Sequence, residues 1–134
     1  MTAKLSSAKK LQVGCVIVKD NRILSIGYNG TPAGWDNECE EETKFGNTGY
    51  GRKLTTKPEV IHAEANALMK LVQSTDSSVG SVLFVTHLPC IECAKLVYQA
   101  GIKEVYYIND YHASKGSGHL FLKEAGIKLY AKTN

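Results

Sequence analysis

Apolar and polar residues alternate and cluster along this chain in a way that separates strands from helices. Residues 12–19 and 22–28 are rich in Val and Ile and are divided by Asp20-Asn21, a pair able to accept positive φ at both positions. The pattern predicts a β-hairpin. In its first strand Val13, Cys15 and Ile17 share one side and Val16 and Val18 the other, so both faces are apolar, as expected for a strand covered on two sides. Residues 30–57 then dissolve into Gly, Asn, Thr and an acidic cluster of Glu38, Glu40, Glu41 and Glu42. This predicts a long excursion with little regular structure and a hydrated acidic surface.

Ile61, Ala65, Leu68 and Val72 recur at three- and four-residue spacing, which predicts a helix running to about residue 74. Thr56 with Glu59 resembles a capping box and Pro58 suits a first turn, but the chemistry below places the start near His62. Further on, the pattern predicts a strand over 81–86, a helix over 90–100 stopped at Gly101, and a strand over 104–108. A helix over 118–125 stopped at Gly126 and a strand over 127–130 complete it. Strands alternating with helices after an opening hairpin describe an α/β fold of three layers, a mixed sheet with helices on both faces.

With 134 residues, 43% apolar and 22% charged, the composition suits one compact domain over 1–134. Lys plus Arg number 16 against 13 Asp plus Glu. That balance suits small anionic ligands and falls short of a dedicated nucleic-acid-binding module. No apolar run approaches a membrane span, and residues 1–10 lack the hydrophobic stretch of a secretory signal, so a soluble, cytoplasmic protein is expected. Cys15, Cys39, Cys90 and Cys93 are too few and too unevenly placed for a secreted disulfide framework. Thiols and metal ligation are the better reading.

His62-Ala63-Glu64 is followed well downstream by Pro89-Cys90-Ile91-Glu92-Cys93. A Cys-x-x-Cys alone reads equally as a redox pair or half of a structural zinc site. A structural site wants a fourth ligand at fingerlike spacing, and a redox pair has no use for an upstream His-x-Glu. One imidazole and two thiolates leave the fourth tetrahedral position of a zinc ion open, as hydrolysis requires. If Cys90 opens a helix, Cys93 lies on nearly the same face, and the helix N-terminus favours both thiolates. His62 and Glu64 are two apart and would diverge in mid-helix, so both reach one site only where the helix begins. Zinc brings the pKa of a bound water toward neutrality, and Glu64 can take the released proton, pass it to a ring nitrogen of cytosine and carry a second to departing ammonia.

These residues give the chain its resemblance to the deoxycytidylate (dCMP) deaminases of the zinc-dependent cytidine deaminase superfamily. The likeness includes Val13-Gly14, Gly27-Tyr28-Asn29-Gly30-Thr31-Pro32-Ala33-Gly34, His62-Ala63-Glu64-Ala65-Asn66-Ala67 and Ala100-Gly101-Ile102. The resemblance implies a cytidine deaminase-like five-stranded mixed sheet flanked by helices, conversion of dCMP to dUMP for thymidylate synthesis, and a homo-hexamer or other homo-oligomer. It implies substrate contacts at Asn29, Thr31, Pro32, Ala63 and Tyr111, with Asn29 near the sugar and Tyr111 near the phosphate. It also implies activation by dCTP and inhibition by dTTP at a site including Tyr28, Asn29 and Gly30, with Mg2+ accompanying the triphosphate. The short segment before Val13 and Cys15, where a small residue is usual, depart from the pattern; Cys15 reads as a core thiol. Cys39 with His87 or Cys15 remains open as a second metal site, while His112 and His119 read as surface or phosphate-region residues. Two other readings stay open: a deaminase acting on RNA, which would need a basic surface, and a non-catalytic zinc-stabilised nucleotide-binding module, which would have no need of Glu64.

Overall fold

In the computed structural model the described residues are 12–30, 40–44, 52–56, 60–109 and 118–132. The opening hairpin is formed by β1 (Gly14–Lys19) and β2 (Arg22–Tyr28). Asp20 and Asn21 turn it with φ of 52° and 60°, the left-handed pair that a two-residue hairpin loop demands. The register pairs Ile17 with Ser25 but Val18 with Ile23, so Leu24 is an extra residue that bulges β2.

The excursion expected over 30–57 contains regular structure after all. β3 (Glu40–Lys44) and β4 (Arg52–Thr56) pair antiparallel, from Glu40 opposite Thr56 to Lys44 opposite Arg52. Alternation of apolar residues reports a strand that buries one face, and this polar ribbon has no such alternation to read. Cross-strand backbone hydrogen bonds hold such a pair without it. Glu40, Glu41 and Glu42 therefore belong to a strand, which corrects the loop expected there.

The later elements follow the expected order, with ends displaced by a residue or two: α1 (Ala63–Val72), β5 (Val82–His87), α2 (Ile91–Gln99), β6 (Glu104–Asn109), α3 (His119–Glu124) and β7 (Lys128–Ala131). The main sheet runs β2-β1-β5-β6-β7, antiparallel from β2 to β5 and parallel from β5 to β7. This is the five-stranded mixed sheet with helices of a cytidine deaminase-like fold.

One face of the sheet supplies Cys15, Ile17, Leu83, Val85 and Val105 to the core. There they meet Ala63, Ala67, Leu68 and Leu71 of α1, Ala94 and Val97 of α2, and Leu122 of α3. The register aligns Ile26, Val16, Phe84, Tyr106 and Tyr130 on the other face. Phe84 stacks on Tyr106 at 4.9 Å and Tyr106 on Tyr130 at 4.7 Å, so both faces are apolar as the pattern of β1 predicted.

α1 sits unusually close to β2. A Cβ on Gly27 would lie 2.3 Å from the carbonyl oxygen of Ala63 and 2.7 Å from the nitrogen of Ala67, so only glycine permits the approach. Ser25 Oγ donates to Ala67 O at 2.8 Å and Asn66 Nδ2 to Tyr28 O at 2.9 Å, locking helix to strand. Gly27→Ala should therefore cost about 1–3 kcal/mol by overpacking. Denaturant unfolding checks this, and an unchanged midpoint would contradict the contact.

Candidate metal centre

His62 is the N-cap of α1 and Cys90 the N-cap of α2, each with extended backbone that turns the chain into its helix. Cys93 lies in the first turn of α2. Cys90 follows the C-terminal end of β5, where Leu88 N–H donates to Asn109 O at the matching end of β6. In sheets of this kind ligands gather outside the carboxyl ends of the parallel strands. The packing of α1 on α2 brings the two helix starts face to face.

His62 Nδ1 lies 3.2 Å from Cys93 Sγ and 3.6 Å from Cys90 Sγ, and one ligand atom from each residue falls within 4.8 Å of the others. Tetrahedral zinc with its usual bond lengths separates such atoms by about 3.5–3.8 Å, so the donor set fits that ion with small adjustments. The cysteines are buried and His62 is exposed, which opens the cluster on the histidine side. Glu64 is 4% exposed and hydrogen-bonds with Cys93. Burial pushes its carboxyl above the usual range, against the pull of Cys93 and the His62 charge.

The two sulfurs differ in their surroundings. Cys90 is pulled down to about 3, first by the Cys93 thiol and then by His62, with the Cys93 backbone N–H adding to the pull. Cys93 goes up, because it donates to Cys90, is buried and faces Glu64. Without a metal, hydrogen bonding between the sulfurs thus favours the thiolate at Cys90 and the thiol at Cys93. Two sulfurs and a buried carboxyl beside a single imidazole form a group that a divalent cation would satisfy.

Asn29 Oδ1 accepts from Val13 N–H at 2.9 Å, and Asn29 N–H donates to Val13 O at 3.2 Å. Gly30 bridges to Ile61, the residue before His62, through N–H···O contacts of 3.1 and 2.7 Å. The Tyr28 ring lies under Lys70 Nζ at 5.4 Å. Ala63 is wholly buried and its carbonyl accepts from Cys15 Sγ at 3.2 Å. Thr31, Pro32, Tyr111, Cys39 and His112 lie outside the described residues. Cys15 is a core thiol, driven up by burial, and His87 Nδ1 pairs with Thr86 Oγ1 at 2.9 Å. Neither belongs to a cluster of three or more metal-ligating groups among the described residues. Asn66 went unassigned from sequence, yet it holds Tyr28. An amide in mid-helix two residues beyond Glu64 was the available signal.

The topology together with a His-Cys-Cys cluster beside a buried carboxyl defines the class of the zinc-dependent deaminases. Residues 1–109 match the cytidine and deoxycytidylate deaminase zinc-binding region, and the chain belongs to that family. It is 44% identical to human deoxycytidylate deaminase over 132 residues, covering 95% of this chain and 71% of the relative. It is 36% identical to ComE operon protein 2 of Bacillus subtilis over 129 residues, covering 96% of this chain and 64% of that protein. The crystal structure of the dCMP deaminase of cyanophage S-TIM5 in complex with dCMP and dUMP superposes with a TM-score of 0.82 at 39% identity. That match covers 98% of this chain and 88% of the phage chain.

In zinc-stripped, reduced protein, ultraviolet thiolate absorbance should persist on acidification until about pH 3, the range to which Cys90 is pulled. Cys90→Ser should abolish it. Titration of that absorbance near the ordinary thiol range would contradict the pull of Cys93 and His62 on Cys90.

Proposed function

We propose that this chain is a single-domain, cytoplasmic enzyme that hydrolyses dCMP to dUMP and ammonia with one zinc ion held by His62, Cys90 and Cys93. The observation that carries this reading is the buried Glu64 carboxyl beside that cluster, at the open end of two facing helices. The human relative named deoxycytidylate deaminase and the phage enzyme solved with dCMP and dUMP support the choice of nucleotide. No described helix is long and apolar enough to cross a membrane.

Zinc, when bound, supplies a Lewis acid and brings a water within reach of deprotonation near neutral pH. Glu64 moves the protons. Its raised pKa brings it toward the range in which one carboxyl both accepts and donates. It takes the proton of the attacking water, delivers it to the ring nitrogen next to the amine-bearing carbon, and carries the second proton to the leaving ammonia. Asn29 contacts the nucleotide near the sugar, Ala63 contributes to substrate binding, Thr31 and Pro32 line the approach, and Tyr111 lies toward the phosphate.

Regulation uses the same strand end. Tyr28, Asn29 and Gly30 contribute to a site for dCTP, the activator, and dTTP, the inhibitor, with Mg2+ accompanying the triphosphate. The assembly is a homo-hexamer or another homo-oligomer. The bridge from Gly30 to Ile61 supports this placement, since a ligand that shifts Gly30 pulls on the residue before His62.

Glu64→Gln should retain stoichiometric zinc while ammonia release from dCMP falls by about 10²–10⁴-fold. Unchanged turnover would refute Glu64 as proton carrier. Offered dCMP, dCTP, deoxycytidine and an anticodon stem-loop separately, the purified protein should deaminate dCMP fastest. Preference for the stem-loop with salt-sensitive binding would make it an RNA deaminase instead. Adding dCTP should raise the dCMP rate and dTTP should lower it; indifference to both would remove the effector site.

A further inference from the structure

Gly118 precedes α3, 28 positions beyond Cys90, yet it is packed against the turn that carries both cysteines. Gly118 N–H donates to Pro89 O at 2.9 Å. A Cβ placed on it would lie 2.6 Å from Pro89 O, 2.7 Å from Ala94 Cβ and 3.0 Å from Cys90 O. Its backbone has φ −79° and ψ −4°, which any residue adopts, so the need for glycine is purely one of space. Cys90 O accepts the Ala94 N–H at 2.8 Å, the hydrogen bond that closes the first turn of α2. A side chain on Gly118 would press on that carbonyl and on the one before it.

We infer that Gly118 is a positioning residue for the metal cluster, holding the Pro89-Cys90 turn so that Cys90 and Cys93 present their sulfurs to His62 at one spacing. The inference rests on the reading of those three residues as zinc ligands. Both sulfurs lie on the closed first turn of α2, from which they approach His62 Nδ1 at 3.6 and 3.2 Å. The contact comes from outside the two ligand segments. Gly118 O accepts Leu122 N–H at 2.9 Å, and Leu122 is wholly buried in the core, so the clamp is anchored through α3. Loss of a group that supports metal ligands from behind weakens metal binding by about 10–100-fold.

The experiment compares wild type, Gly118→Ala and Gly126→Ala for zinc affinity by chelator competition, for the visible spectrum of the cobalt-substituted protein, and for thermal midpoint without metal. Gly126 has φ +87° and open space around it, so alanine there strains the far end of the same helix without touching the turn. Gly118→Ala should bind zinc at least about tenfold more weakly and alter the sulfur-to-cobalt charge-transfer bands. Gly126→Ala should lower the thermal midpoint with zinc affinity and cobalt spectrum unchanged. Equal zinc affinity in wild type and Gly118→Ala overturns the inference, as does a parallel loss in Gly126→Ala. Should Gly118→Ala fail to fold, Ala94→Ser loads the same contact from α2 and is judged by the same readings. Wild type that binds no zinc would instead overturn the ligand assignment itself.

Discussion

The close approach of α1 to β2 at Gly27, where the carbonyl of Ala63 fills the space a side chain would need, sets the height of His62 and Glu64 above the sheet. Much of what surrounds the candidate centre depends on that contact. Ser25 and Asn66 tie the helix to the strand on either side of it, and the Cys15 thiol holds the Ala63 carbonyl from the core. Close packing transmits small displacements, so a shift of α1 would carry His62 away from the cysteines. The hairpin is thus the ruler against which one half of the cluster is placed.

The other half is placed from the opposite side of the fold. β5 delivers Cys90 to the end of the parallel part of the sheet, and α2 brings Cys93 back over it within one turn. His62 and Cys90 both sit at N-caps, where the backbone is extended and a side chain can lean across the helix end. Neither side chain caps its own helix, which leaves both directed to the shared cluster.

Electrostatics gives this geometry its chemical direction. Burial disfavours the charged form of Glu64, and the Cys90 sulfur, burial and Glu64 together hold the Cys93 thiol up. The arrangement is a poor ion pair and a good cation site. The carboxyl closest to the cluster is also the one whose proton affinity burial has raised, so metal binding and proton handling share one cause.

The order of the main elements was legible because apolar period and turn residues act locally: Asp20-Asn21 requires a hairpin turn, and Gly101 and Gly126 end helices at positive φ. The β3–β4 ribbon was not legible, since its strand sequences are polar and carry no apolar alternation to read. His-x-Glu and Pro-Cys-x-x-Cys were readable as a set because metal chemistry restricts residue types and short-range spacing. By itself the sequence determined the strands of the main sheet, its helices, their order and the donor atoms available. Tertiary structure alone decided that β2 lies within backbone contact of α1, that Cys90 and Cys93 both lie within 3.6 Å of His62 Nδ1, and that Gly118 abuts the Pro89-Cys90 turn. Those relations depend on distances of a few tenths of an ångström and on burial between residues far apart in the chain, quantities no local pattern encodes.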